Sequence, residues 1–168
     1  ISRNNSYRVK ENSSIYENTD NKIKEDKILI ADDNLLNRKM LGLLFKNINY
    51  KFDQASNGNE VIEKINDKTY ILIFMDYFMP ELNGIETTRI LRSKGFPFII
   101  TGLTGNNNIE DINAFLKAGA DAVFVKPLKK DKLEKFLNLL ISNGFLSKPN
   151  MMIIDKSNEL IWVPKKIL

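Results

Sequence analysis

The chain has 168 residues, 43% of them hydrophobic and 27% charged, with a net charge of +4 and neither cysteine nor histidine. That length suffices for one domain with a sizeable core plus tails, in a composition typical of globular proteins. Disulfides, thiolate metal sites, cysteine nucleophiles and imidazole bases are excluded, so any chemistry falls to carboxylates, hydroxyls and lysines.

Basic residues are scattered, with Lys129–Lys130 and Lys165–Lys166 forming pairs rather than patches, so no nucleic-acid partner is expected. No apolar run approaches the roughly 20 residues of a membrane span, and no signal-peptide core opens the chain. No membrane contact is expected within this segment, and a cytoplasmic location is, with any membrane anchor left to a longer parent protein. A start at Ile1 rather than methionine fits such a segment.

Residues 1–25 are polar, carry no helix or strand period, and read as a disordered linker. From Lys27 the pattern changes. Residues 28–31 form a short apolar run ended by Asp32-Asp33-Asn34, and Asn34 suits the N-cap of a helix over 35–47. Its expected inward face is Leu36, Met40, Leu43 and Leu44. A weaker strand over 52–55 and a helix over 60–68 follow. Residues 71–75, five apolar residues in a row, read as a strand buried on both faces and ended by Asp76. A helix over 85–92, a strand over 98–100 reaching Thr104, a helix over 109–118, a strand over 122–125 ended by Lys126-Pro127 and a helix over 129–142 complete the series. Strand–helix alternation five times over implies a parallel sheet with helices on both faces, a doubly wound α/β domain over residues 26–146. Residues 147–168 form a C-terminal extension with the alternation of a small hairpin, for which Trp162 is a natural anchor.

In such a sheet, chemistry gathers beyond the carboxyl ends of the strands. Asp32, Asp33, Asp76, Thr104 and Lys126 all fall there. Each has a plainer reading: an Asp pair compensates a helix dipole, Asp76 caps, Thr-Gly turns and Lys-Pro ends a strand. Their arrival on one edge favours a site. Three converging carboxylates repel unless a cation sits among them, and oxygen ligands without His or Cys suit Mg²⁺. Asp76 is best placed as a nucleophile toward a phosphoryl group, with Asp32 and Asp33 holding the metal and Thr104 and Lys126 donating to phosphate oxygens.

The Asp32-Asp33 pair, FMDYFMPELNG around Asp76, the Thr104-Gly105 step and GADAVFVKP through Lys126 resemble the receiver domain of two-component response regulators. The resemblance implies a flavodoxin-like five-stranded sheet of order 2-1-3-4-5. It implies phosphorylation of Asp76 from a phosphohistidine, switching or relaying a signal. Mg²⁺ would be held by Asp32 and/or Asp33, Asp76 and the Phe78 backbone carbonyl, with Thr104 and Lys126 on the phosphoryl oxygens. It further implies a histidine kinase and/or a histidine-containing phosphotransfer protein as partners, self-phosphorylation or autodephosphorylation as the most this segment catalyses, and a hybrid histidine kinase as parent. Two departures stand out. Val123 occupies the position three before Lys126, where the family has an aromatic that turns inward on activation, and Phe124 is expected on the opposite face. Phe78 is bulky and apolar, and its ring is expected to shield the acyl phosphate from water. Three other functions compete. An Asp-nucleophile phosphatase wants a second Asp at position 78, a flavin module wants a phosphate-cradling loop where Asp32-Asp33 stands, and a receiver-like interaction module would need no phosphorylation at all.

Overall fold

The computed structural model describes residues 27–167, so the expected linker over 1–25 lies outside the described residues. Five βα units run in order: β1 (Lys27–Ala31), α1 (Leu35–Asn47), β2 (Phe52–Ala55), α2 (Gly58–Asp67), β3 (Tyr70–Asp76), α3 (Gly84–Ser93), β4 (Ile99–Thr104), α4 (Ile109–Ala118), β5 (Ala122–Val125) and α5 (Lys130–Asn143). Their strands are parallel in the order β2-β1-β3-β4-β5, the order the resemblance implied. The sheet then continues through two more strands, β6 (Met151–Lys156) and β7 (Glu159–Pro164). Among the described residues no helix is long and apolar enough to cross a membrane.

Asparagine sets most of the helix starts. The side chains of Asn34, Asn57, Asn83 and Asn108 each accept a backbone N–H from the first turn of the helix they precede. The pleat then divides the core. Ile28, Ile30, Leu72 and Phe74 join Phe45 of α1 and Phe136 of α5 in one cluster. Leu29, Ala31, Ile73 and Met75 join Val61, Leu91 and Phe115 of α2, α3 and α4 in the other. Every residue of β3 is buried, as expected of a central parallel strand covered on both faces.

The inward face of α1 differs from expectation. Leu41 and Phe45 are buried and Leu44 packs partly against them, whereas Leu36, Met40 and Leu43 are 63%, 53% and 57% exposed. Two contacts set this phase. Phe45 sits in an aromatic group with Tyr50, Phe52 and Phe74, with ring centroids 5.4–6.5 Å away. Gly42 lies under the Phe52 ring, where a Cβ would come within 2.6 Å of it. The helix therefore turns its glycine and Phe45 to the sheet and leaves an apolar stripe outside.

The hairpin of β6 and β7 turns at Ser157 and Asn158, both at positive φ, as a two-residue hairpin loop requires. It meets β5 at a single pair, Ala122 with Ile153, through the Ile153 N–H donating to the Asp121 carbonyl at 2.6 Å. The Asp121 side chain, fully buried, secures the junction. It accepts from Arg92 Nη2 at 2.6 Å, Ser147 Oγ at 2.5 Å and the Ile100 N–H at 2.9 Å. Trp162 is half-buried against the α1/α5 cluster, with the Lys148 ammonium 4.6 Å above its ring.

Candidate functional site

All the expected side chains stand at the carboxyl edge of the sheet. Asp76 is the last residue of β3 and pairs in register with Leu103 of β4, one residue before Thr104. Thr104 pairs with Val125, and the Lys126 N–H donates to the Thr104 carbonyl at 2.8 Å. The ends of β3, β4 and β5 are thereby held level. Gly84 makes the edge compact, since a Cβ there would meet the Asp76 carbonyl at 2.0 Å.

The Lys126 ammonium bridges two carboxylates, 2.6 Å from Asp76 Oδ1 and 2.9 Å from Asp32 Oδ2. Carboxylate oxygens of Asp32, Asp33 and Asp76 all lie within 4.8 Å of one another, the first and last buried and Asp33 exposed. One ammonium against three carboxylates leaves the cluster negative. Burial pushes the Asp76 carboxyl above its ordinary value, with Asp32 adding to the rise and Lys126 and the Tyr77 N–H opposing it. Burial alone would lower the Lys126 ammonium, but its bonds to Asp32 and Asp76 outweigh that and hold it above the usual lysine value. An oxygen-only donor set with an excess of negative charge fits a hard divalent cation, and the fourth residue expected at the metal, Phe78, follows two after Asp76 in the β3–α3 loop.

The Thr104 hydroxyl is buried and occupied locally, accepting from the Asn106 N–H at 3.1 Å. Phe78 is 64% exposed as a residue and its ring leans on Tyr77, ring centroids 4.6 Å apart, while Tyr77 packs edge-on against Phe115. Val123 packs partly against the α2/α3/α4 cluster, and Phe124 turns to the other face against Phe136 at 5.1 Å.

Two residues of the site escaped the sequence reading. Asn37 donates through Nδ2 to both Asp32 carboxylate oxygens, at 3.2 and 3.0 Å. Arg38 donates through Nη1 to the backbone carbonyls of Asp32 and Asp33. Their signal was a pair of polar residues one turn into α1, which sequence alone does not distinguish from a solvated face. Beside them, a groove of about 180 Å³ runs from Asp32 and Lys126 between Met40 and Leu44 of α1 and Pro127-Leu128.

Comparison with known proteins points the same way. Residues 28–138 match the family model described as response regulator receiver domain. The chain is 36% identical over 120 residues to hybrid signal transduction histidine kinase A of Dictyostelium discoideum, an alignment covering 66% of the chain but only 6% of that protein's length. Among solved structures it is similar to the receiver domain of the sensor histidine kinase PA1611 from Pseudomonas aeruginosa, which has a magnesium ion coordinated in its active-site cleft (27% identity, TM-score 0.65, covering 70% of this chain and 98% of that one). It is also similar to the receiver domain of the Saccharomyces cerevisiae response regulator Ssk1, solved with the phosphotransfer protein Ypd1 (27% identity, TM-score 0.64, covering 72% of this chain and 92% of that one). With the matched region reaching from β1 into α5 and the acidic cluster at its sheet edge, the chain belongs to the response regulator receiver domain family, the phosphoacceptor modules of two-component and phosphorelay signalling.

Proposed function

We propose that Asp76 accepts a phosphoryl group from a phosphohistidine on a histidine kinase or a histidine-containing phosphotransfer protein. The observation that carries this reading is the Lys126 ammonium bridging Asp76 and Asp32, with Asp33 beside them. An Asp76 carboxylate oxygen forms the O–P bond as the N–P bond breaks, and the imidazole leaves with that electron pair. Lys126, already on Asp76, donates to a phosphoryl oxygen, and the Thr104 hydroxyl turns to another the O–H that it donates to the Asn106 carbonyl at 3.2 Å. Mg²⁺ held by Asp32, Asp33, Asp76 and the Phe78 carbonyl would supply charge neutralisation for the transferring group.

Leu36, Met40 and Leu43 form the exposed stripe of α1, Met40 also lines the groove at Asp32 and Lys126, and a phosphotransfer partner docking there would bring its phosphohistidine over Asp76. The Ssk1–Ypd1 complex supports that kind of partner. A hybrid histidine kinase as parent is supported by the Dictyostelium relative, of which this chain spans a small part. The phosphatase reading loses support because the residue two after Asp76 is Phe78, with no carboxyl to serve as acid and base.

The test is incubation with Mg²⁺ and acetyl phosphate followed by intact mass measurement. One phosphoryl adduct is expected, absent in Asp76→Asn and without Mg²⁺. An adduct that persists in Asp76→Asn, or steady release of phosphate from unrelated monoesters, overturns the reading.

A further inference from the structure

Two of the three clustered carboxylates sit in the loop between β1 and α1, and a residue one turn into α1 ties that loop together. Arg38 Nη1 donates to the Asp32 carbonyl at 2.5 Å and to the Asp33 carbonyl at 3.1 Å. Its Nε donates to Gln54 Oε1 at 3.1 Å, and Gln54 pairs with Ile30 across the β1–β2 ladder. The guanidinium therefore joins two successive loop carbonyls to a neighbouring strand. The Asp32 carboxylate is fixed independently, since it accepts from the Asn34 N–H, Asn37 Nδ2 and Lys126 Nζ. Asp33 differs. Its carboxylate is exposed, and the direction in which its side chain leaves the backbone follows from the peptide planes that Arg38 holds.

We propose that Arg38 is a positioning residue for divalent-cation binding, its planar fork fixing the Asp32 and Asp33 peptides so that the Asp33 carboxylate stays beside Asp32 and Asp76. This rests on reading those three carboxylates as a cation site. Arg38 acts on a cation in two ways of opposite sign. Its positive charge opposes the ion, while its hydrogen bonds pre-form the site. The two separate by substitution, because lysine keeps the charge and loses the fork, whereas methionine loses both.

The experiment is calorimetric titration of the full chain with Mg²⁺, together with thermal unfolding in its absence. Arg38→Lys and Arg38→Met are both expected to weaken Mg²⁺ binding by about 10-fold, the cost typical of removing a residue that orients metal ligands. Gln54→Leu, which frees only Nε, is expected to weaken it by less. Arg38→Met binding Mg²⁺ as tightly as the parent, or more tightly, would overturn the proposal, as would a loss of melting temperature with unchanged affinity. Should neither Arg38 variant fold, Gln54→Leu decides alone: weaker binding supports the role and unchanged binding overturns it. A parent chain that takes up no Mg²⁺ sinks the cation reading and this inference together, whereas a binding parent with equally binding variants sinks this inference only.

Discussion

Three buried carboxylates in this fold meet cations, and two of them, Asp121 and Asp76, are satisfied to very different degrees. Asp121 receives a guanidinium, a hydroxyl and a backbone N–H, and those three bonds join β4, β5, α3 and the C-terminal extension. Asp76 shares one lysine with Asp32 and lies beside Asp33 as well. Burial pushes both carboxyls up, but at Asp121 every neighbour pulls back, whereas at Asp76 another carboxylate pushes further. A buried group with all its partners is a fastening. A buried group left short of positive charge is a site waiting for a ligand.

Substitution should break the two in opposite ways. Asp121→Ala removes the counter-charge of the Arg92 guanidinium, which keeps only the Gly119, Phe96 and Phe98 carbonyls, and unties Ser147, so urea denaturation is expected to show a loss of about 3–5 kcal/mol, as for other broken buried pairs. Asp76→Asn should change stability by less than about 1 kcal/mol in the same measurement, because Lys126 keeps Asp32 and one repelling charge is gone. A loss at Asp76 as large as that at Asp121 would erase the distinction. Lys126→Met should lower stability by roughly 1–3 kcal/mol without Mg²⁺. Added Mg²⁺ should then raise the melting temperature more in that variant than in the parent, since the ion takes over the lysine's role.

The raised Asp76 carboxyl predicts two responses to acid with opposite signs. A carboxyl whose folded value lies above its ordinary 3.8 contributes stability that is full below 3.8 and is lost as pH rises through the folded value. Mild acid should therefore favour the Mg²⁺-free fold through this group. Mg²⁺ affinity should fall over the same range, by up to about 10-fold per pH unit as protons compete. Calorimetry across the mildly acidic range checks this, and Asp76→Asn should flatten the dependence. The smallest effect concerns Phe78. Phe78→Asn is expected to shorten the acyl-phosphate lifetime by less than about 10-fold, read as phosphate loss over time, and equal rates would rule out the shielding role. Its exposure and its lean toward Tyr77 keep the expected change modest.

The strand ends were legible because buried parallel strands are short apolar runs, and a carboxylate or lysine closing such a run is conspicuous. Asp76 after residues 71–75 and Lys126 after 122–125 are of that kind. The phase of α1 was not legible. Apolar residues at 35, 36, 40, 41, 43, 44 and 45 surround much of the helix, and the choice among faces was made by Gly42 under Phe52, a contact between elements that no local period encodes. Asn37 and Arg38 were hidden for a related reason: both act through the loop preceding their own helix, and Arg38 also across to β2. The alternation of the hairpin was readable, but its fastening through Ser147, Asp121 and Arg92 spans more than 50 residues of chain.

Among the described residues, adding β6 and β7 moves the margin of the sheet from β5 to β7. The Lys165 N–H donates to the Asn150 carbonyl, so in the antiparallel alternation the nitrogen of Pro164 faces away from β6. The imide ring thus costs the hairpin no bond while deleting a donor from the outer rim. A seven-stranded sheet ending in the apolar run Leu-Ile-Trp-Val would otherwise invite further strands from neighbouring molecules, and a single proline blunts that template for aggregation.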